Sequence, residues 1–205
     1  MPVGSAKFGL MAAAGGGDDL FGWEWIETVL VSSDNSSIVH DGGPWSDYLA
    51  LKCVGSVRGS LASNGGTFYL GISSGSYTNA SKYNLMQLGH HASNNAHMSA
   101  LRANGWGGQE PVFCNTSTAD AFSPFVIDFF NPNDTDSHKN YSIQTGMVTE
   151  GSMTYDTKRY QLAMGSAEQL GVMTRIRIES NSGWETDSRS DLYGLKIDTS
   201  KVTDN

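Results

Sequence analysis

From residue 21 onward, apolar and polar side chains alternate along the chain with a period of two. In segment 172–179, Val172, Ile176 and Ile178 fall on one side and charged side chains fall on the other. Successive strand residues point to opposite faces of a sheet, so this pattern predicts a half-buried antiparallel strand. The period of 3.6 residues expected for a helix is almost absent. Eight further segments alternate in a similar but less regular way: 23–31, 48–57, 67–72, 83–88, 125–130, 141–148, 160–164 and 192–197.

Residues that favour turns cluster between these segments, at 41–44, 64–66 and 131–134. The pair Asn64-Gly65 stands between two apolar segments and predicts a β-hairpin there. Many short strands and turns without intervening helices predict an all-β chain, specifically an antiparallel β-sandwich of jelly-roll type. Residues 89–113 are rich in His, Asn and Gly, and we expect a long loop with at most one helical turn.

The first twenty residues differ from the rest of the chain. They combine a short apolar run, three glycines and an acidic pair, which cannot form a core of their own. The single positive charge and short apolar run fit a signal peptide poorly. A terminus without fixed contacts is the alternative. We expect residues 1–20 to be an anchoring arm in which Phe8, Leu10 and Met11 contact a neighbouring protein, and residues 21–205 to form the β-sandwich domain.

The length of 205 residues suits one all-β domain. The net charge of -8 argues against a nucleic-acid or anionic-membrane partner, because both require a basic surface. No segment approaches the ~20 apolar residues of a membrane span, so we expect no membrane insertion. Cys53 and Cys114 are too few for a disulfide scaffold, which predicts free thiols and assembly in a reducing cytoplasm.

Three motifs invite a catalytic or metal-binding interpretation. Segment 71–75 fits G-x-S-x-G, with Ser73 as the candidate nucleophile, but a nucleophile elbow must continue into a helix and the following residues are typical of a loop. His90, His91 and His97 match no zinc-binding spacing. We therefore expect loop histidines and no enzymatic activity, cofactor or metal.

The third motif is acidic. Asp128, Asp134, Asp136 and His138 flank a turn whose oxygens could bind Ca²⁺ weakly. The glycine and bidentate glutamate of an EF-hand loop are absent, so a solvated acidic loop is the better interpretation.

The tryptophans fall into two groups. Trp23 and Trp25 share a predicted strand face with Val29 and Val31, and should cover the core or contact a neighbouring subunit. The other three have Gly- or Ser-rich surroundings: Trp45, Trp106 and Trp184. Exposed rings there could stack on a sugar or enter a subunit interface, whereas partial burial at a loop base is the alternative.

The last alternating segment of the chain is 192–197. Tyr193, Leu195 and Ile197 fall on one face, which we expect to complete the core.

Four features of the chain occur together: the apolar Gly/Ala-rich start at 6–17, strand segments 25–31 and 48–52, and the ending Leu192-Tyr193-Gly194-Leu195-Lys196. In these features, over nearly its whole length, the chain resembles virion structural proteins of tailed bacteriophages. The resemblance implies a non-enzymatic β-sandwich component of the tail, fibre, neck or capsid-decoration set. The implied location is the virion, after assembly in the host cytoplasm.

The resemblance also implies partners. These are other phage structural proteins and further copies of the chain, with a homotrimer favoured. The alternative is a glycan-binding receptor-recognition module of a tail fibre, in which Trp45, Trp106 or Trp184 would contact a host-surface glycan.

Overall fold

The computed structural model describes residues 21–33, 35–59, 66–72, 76–77, 83–91, 94–102, 122–148, 158–167 and 170–197. These residues form β-strands and no helix, and hence none that could cross a membrane. The strands are β1 (Phe21–Leu30), β2 (Asn35–His40), β3 (Ala50–Val57), β4 (Gly66–Ile72), β5 (Ser76–Tyr77), β6 (Tyr83–His91), β7 (Asn94–Arg102), β8 (Ser123–Phe130), β9 (Lys139–Val148), β10 (Lys158–Ala167), β11 (Met173–Trp184) and β12 (Arg189–Ile197). Each of the nine alternating segments overlaps a strand, which confirms the all-β fold class.

The strands form two antiparallel sheets. The larger has eight strands in the order β1-β12-β3-β8-β9-β10-β6-β7, and the smaller has four in the order β2-β11-β4-β5. Consecutive strands β1 and β2 lie in different sheets, as do β11 and β12. By contrast, β8, β9 and β10 pair in sequence within the larger sheet. The chain therefore crosses between the sheets near both ends of the described region.

Both sheets contribute to a single sandwich-like core. The smaller sheet buries Ile38, Ile176 and Ile178, and the larger buries Leu51, Ile127 and other apolar residues of its inward face. Burial of each such side chain contributes roughly 1.5–3 kcal/mol to folding. The buried cluster consists of Val31, Ile38, Trp45, Leu51, Cys53, Val57, Phe125, Ile127, Phe129, Tyr141, Ile143, Ala163, Ala167, Met173, Ile176, Ile178, Trp184 and Leu192.

A β-bulge at Ile26 divides β1 into two halves with opposite orientation. Trp25 pairs with Tyr193, whereas Glu27 pairs with Leu192, so Ile26 is an extra residue in the ladder. Residues before and after Ile26 that strict alternation would place on one face therefore lie on opposite faces of the sheet.

The shared face predicted for the β1 residues is therefore wrong. Trp23 and Trp25 lie on the outward face of the larger sheet, and both are exposed. Val31, beyond the bulge, is buried, and Val29 packs against the core.

A second bulge lies between Met173 and Arg175 of β11. It changes which residue at the start of this strand points into the core, so the predicted inward position of Val172 is wrong. Met173 is fully buried together with Ile176 and Ile178, while Val172 precedes the strand and is only half-buried. The bulge adds one residue, so the inward position moves from Val172 to Met173.

The predicted core face of β12 is also wrong. Leu192 is fully buried opposite Cys53, whereas Tyr193 and Leu195 point outward and are half-buried. Apolar residues occupy both alternating sets in this strand, so a period of two cannot by itself select the inward set. The side chain of Ile197 lies outside the described residues.

Two predictions about connections are wrong as well. Strands β3 and β4, on either side of Asn64-Gly65, lie in different sheets and do not form the predicted hairpin, while Asn64 and Gly65 themselves lie outside the described residues. Of the loop expected over 89–113, the described residues 89–91 and 94–102 are strand, because β6 and β7 pair with each other, and the others lie outside the described residues. Backbone pairing supplies the hydrogen bonds of a strand even where the apolar alternation is weak.

Candidate functional site

Two of the three tryptophans predicted as glycan or interface contacts are buried. Trp184 is fully buried at the end of β11, and its Nε1 donates a 3.0 Å hydrogen bond to the carbonyl oxygen of Ile178. Trp45 is also in the core cluster, and its Nε1 has no partner among the described residues. Neither ring offers a face for stacking in this chain, which corrects the exposed interpretation. Trp106 lies outside the described residues, as do the arm residues Phe8, Leu10 and Met11.

The exposed aromatic surface is formed instead by Trp25 and Trp23. Trp25 is 61% exposed. Its Nε1 donates a 3.1 Å hydrogen bond to Thr28 Oγ1, and the Thr28 hydroxyl in turn donates to Asp191 Oδ1. This chain of hydrogen bonds runs along the outward face from β1 to its neighbour β12, and it fixes the orientation of the indole.

Asp191 also receives a cation. Arg189 donates to Asp191 Oδ1 from Nε at 3.0 Å and from Nη2 at 2.8 Å. Hydrogen bonding to Asp191 raises the pKa of Arg189, so the guanidinium stays charged. The exposed ring of Trp25 is thus bordered by a carboxylate and a half-exposed guanidinium.

A second ion pair lies beside Trp23. Lys52 Nζ is 4.4 Å from the centroid of the Trp23 ring, close enough for a cation–π contact, and 3.4 Å from Asp128 Oδ1. Ser142 Oγ donates a 3.2 Å hydrogen bond to the other oxygen of Asp128. The outward face of the larger sheet therefore carries a polar row that crosses β3, β8 and β9.

Four apolar side chains form an outer patch on β8 and β10 of the same face, with the polar side chains of β9 between them. We define it as Val126, Phe130, Leu162 and Met164, of which Met164 is 53% exposed. An open groove of about 470 Å³ adjoins it and is lined by Pro124, Phe125, Val126, Gln144, Thr145, Gly146 and Leu162. The walls are mostly apolar, and this surface suits contact with another protein better than binding of an ion.

A buried polar network connects the two sheets. His40 Nδ1 lies 3.1 Å from Glu27 Oε1, and His40 Nε2 lies 2.9 Å from Ser190 Oγ. A hydroxyl, an imidazole and a carboxylate in this order have the connectivity of a hydrolase triad. Ser190 and His40 are fully buried, however, so no substrate reaches the hydroxyl in this structure. Burial lowers the pKa of His40, although the Glu27 carboxylate opposes this shift.

The G-x-S-x-G segment does not have the context of a nucleophile elbow. It follows β4 and leads into the short strand β5, which pairs back onto β4 through Ile72 and Ser76. A nucleophile elbow requires a helix at that point. Ser73 itself lies outside the described residues.

The candidate metal ligands are not grouped within the described part of the chain, where no cluster of three acidic, His or Cys side chains occurs. The carboxylate of Asp134 instead accepts hydrogen bonds from the backbone N–H of Asp136 at 2.7 Å and of Ser137 at 3.0 Å. A bond from the Ser137 hydroxyl and these backbone contacts lower the pKa of Asp134. His90, His91 and His97 are in β6 and β7 rather than in a loop.

Comparison with protein-family models, curated proteins and solved structures gave no match to this chain.

Proposed function

We propose that this chain is a non-enzymatic structural subunit of a bacteriophage virion, packed as a homo-oligomer and attached to other phage proteins through residues 1–20. The observation that carries the proposal is the outer patch. Its exposed apolar side chains lie among the polar side chains of Asp128, Ser142 and Gln144 on the same face, and protein interfaces commonly combine apolar and polar groups in this way. In a homotrimer, each chain would bury its outer patch against a neighbouring chain. The candidate positions of the protein in the virion are the tail, the fibre, the neck and the capsid surface.

The strand order supports a jelly roll as the finer description of the fold. A jelly roll has eight strands in two four-stranded sheets, with the chain passing repeatedly between them. Here the part β1-β12-β3-β8 of the larger sheet and the smaller sheet β2-β11-β4-β5 follow such an alternation. Strands β9, β10, β6 and β7 then extend the larger sheet beyond β8. We propose that this extension, which includes the Met164 strand, is the part that contacts a neighbouring subunit.

A glycan-binding recognition module is the second candidate. The burial of Trp45 and Trp184 removes two of its predicted contacts. The exposed ring of Trp25 offers a glycan a stacking surface at a different position.

Sedimentation velocity of the full chain tests the subunit role. We expect a species about three times the chain mass at micromolar concentration, and dissociation to monomer in the double variant Leu162→Glu/Met164→Glu, because two carboxylates per chain would be placed in the contact between subunits. Leu170→Glu is the matched control, since Leu170 is exposed but precedes β11 outside the patch. A wild-type chain that stays monomeric at such concentrations contradicts the proposal.

The arm requires a separate experiment in particles. Deletion of residues 1–19 should leave the melting temperature nearly unchanged and abolish incorporation into virions. Normal incorporation of the shortened chain would refute the anchoring role.

A further inference from the structure

We propose that Trp25, Thr28, Arg189 and Asp191 form a binding site for a neutral saccharide on the outward face of the larger sheet. The site deepens the second candidate function, glycan recognition, and does not depend on the structural role. It lies at the β1 edge of the sheet, whereas the outer patch lies on β8 and β10.

The Trp25 ring provides the platform. It is the most exposed of the large apolar side chains described. Its polar atom is already hydrogen-bonded to Thr28, so the ring needs no further partner and presents its apolar face to solvent. Because the Thr28–Asp191 contact holds the indole, little side-chain freedom is lost when a ligand binds. A pyranose ring has C–H groups on its faces, and these pack against an aromatic face.

Arg189 and Asp191 provide the polar border that the hydroxyl groups of a sugar require. Two of the five N–H donors of a guanidinium are directed at Asp191, and the side chain is half exposed, so donors remain available to a ligand. Asp191 Oδ1 already accepts from Thr28 and Arg189, so Oδ2 is the acceptor that this side chain offers beside the ring. Donors and acceptors at the border of one exposed aromatic ring are the combination that orients a polar ligand.

Trp23 extends the site along β1. It is two residues from Trp25 on the same face, which separates the two positions by about 7 Å. Lys52 lies over one face of the Trp23 ring and pairs with Asp128, so the ammonium and the carboxylate are the polar groups next to that ring. An oligosaccharide that stacks on Trp25 would reach this ion pair with its next sugar unit.

The charges favour a neutral sugar over an acidic one and over a protein. Both cations of the site are paired with carboxylates, and the net charge of the chain is -8. An aromatic anchor in a protein interface is usually surrounded by contacts that exclude water. Here Tyr193 and Leu195 pair directly with Trp25 and Trp23, two ion pairs border the rings, and the Lys52–Asp128–Ser142 row lies between them and Met164 of the outer patch.

An array of defined neutral and acidic oligosaccharides, probed with the full chain, is the first test. We expect at least one neutral oligosaccharide to bind, and calorimetric titration with that compound should show binding about tenfold or more weaker in Trp25→Ala. Trp25→Phe, which keeps a smaller aromatic face, should lose less. Leu170→Ala is the control, because Leu170 is an exposed apolar residue outside the larger sheet, and it should bind like the wild type.

Three outcomes would overturn the proposal: no neutral oligosaccharide binds, Trp25→Ala binds the selected compound as the wild type does, or Trp25→Ala loses self-association instead of sugar binding. The last outcome would identify the ring as a protein contact. Repeating the titration in the Leu162→Glu/Met164→Glu variant separates the two proposals, since sugar binding should persist whether or not the chain is oligomeric.

Discussion

The Nε2 atom of His40 lies 2.9 Å from Ser190 Oγ, and this buried contact joins strand β2 of the smaller sheet to β12 of the larger. The other ring nitrogen lies 3.1 Å from Glu27 on β1. One imidazole thus connects three strands from both sheets. Buried polar groups destabilise a fold unless they are hydrogen-bonded, so the network favours one arrangement of the sheets over others.

Stability should fall as the pH is lowered through the unfolded-state pKa of histidine. Burial lowers the pKa of His40 in the folded chain, against the opposing effect of the Glu27 and Asp191 carboxylates. The unfolded chain has the ordinary value of about 6.5, so below that pH it binds more protons than the folded chain does. We expect a lower urea midpoint at pH 5.5 than at pH 7.5.

His40→Gln separates this effect from other titrations. Glutamine retains a donor and an acceptor but does not titrate, so the variant should be less stable at pH 7.5 and its stability should depend less on pH between 7.5 and 5.5. An unchanged pH dependence in His40→Gln would show that another group is responsible.

Gly55→Ala should destabilise the chain. A Cβ at position 55 would lie 2.5 Å from Phe125 Cζ and would overlap the backbone carbonyl oxygen of Arg189 on the neighbouring strand. Overpacking of this kind costs roughly 1–3 kcal/mol in the free energy of unfolding. Gly22→Ala is the control, because nothing lies within 4 Å of a Cβ there, and it should be neutral. Equal urea midpoints for the two variants would contradict the close packing of Phe125 on Gly55.

The sequence was informative about which segments are strands and less so about their faces. Alternation predicted nine strands, because half-burial imposes a period of two. It missed the two-residue β5, β7, and β2, which begins with Asn35-Ser36-Ser37 and has few apolar residues. The predicted inward faces of β1 and β11 were wrong because each strand has a bulge, at Ile26 and next to Met173, where one extra residue reverses the alternation. No local pattern distinguishes such a residue from an ordinary strand position.

The Trp25 surface could not be predicted for a different reason. Its ring belongs to β1, its Asp191–Arg189 border to β12 and the neighbouring Lys52 to β3. These segments are far apart in the sequence and become neighbours only in the sheet order β1-β12-β3. Asp191 and Arg189 are two residues apart, which indicates a shared strand face but not the aromatic ring beside it.

Cys53 should be unreactive in the folded chain. It is free and fully buried, and burial strongly raises the pKa of its thiol, whereas the thiolate is the reactive form. In a Cys114→Ser background, an aromatic disulfide reagent should label no thiol until urea unfolds the chain. Rapid labelling under native conditions would show that the core around Cys53 opens readily.

Dithiothreitol should not shift the melting temperature of the wild type, whereas loss of a native disulfide would cost roughly 2–5 kcal/mol.

The two faces of β12 should respond differently to the same charge. Leu192→Asp places a carboxylate in the core opposite Cys53, so it removes roughly 1.5–3 kcal/mol of apolar burial and leaves a buried group without partners. We expect insoluble or unfolded protein. Leu195→Asp changes a half-buried residue on the outward face and should remain soluble, with a loss of about 1 kcal/mol. Leu192→Ala gives a measurable version of the core change, with an expected loss of about 2–5 kcal/mol in urea unfolding. If Leu195→Asp is the insoluble variant and Leu192→Asp folds, the inward face of β12 is the one that carries Tyr193 and Leu195.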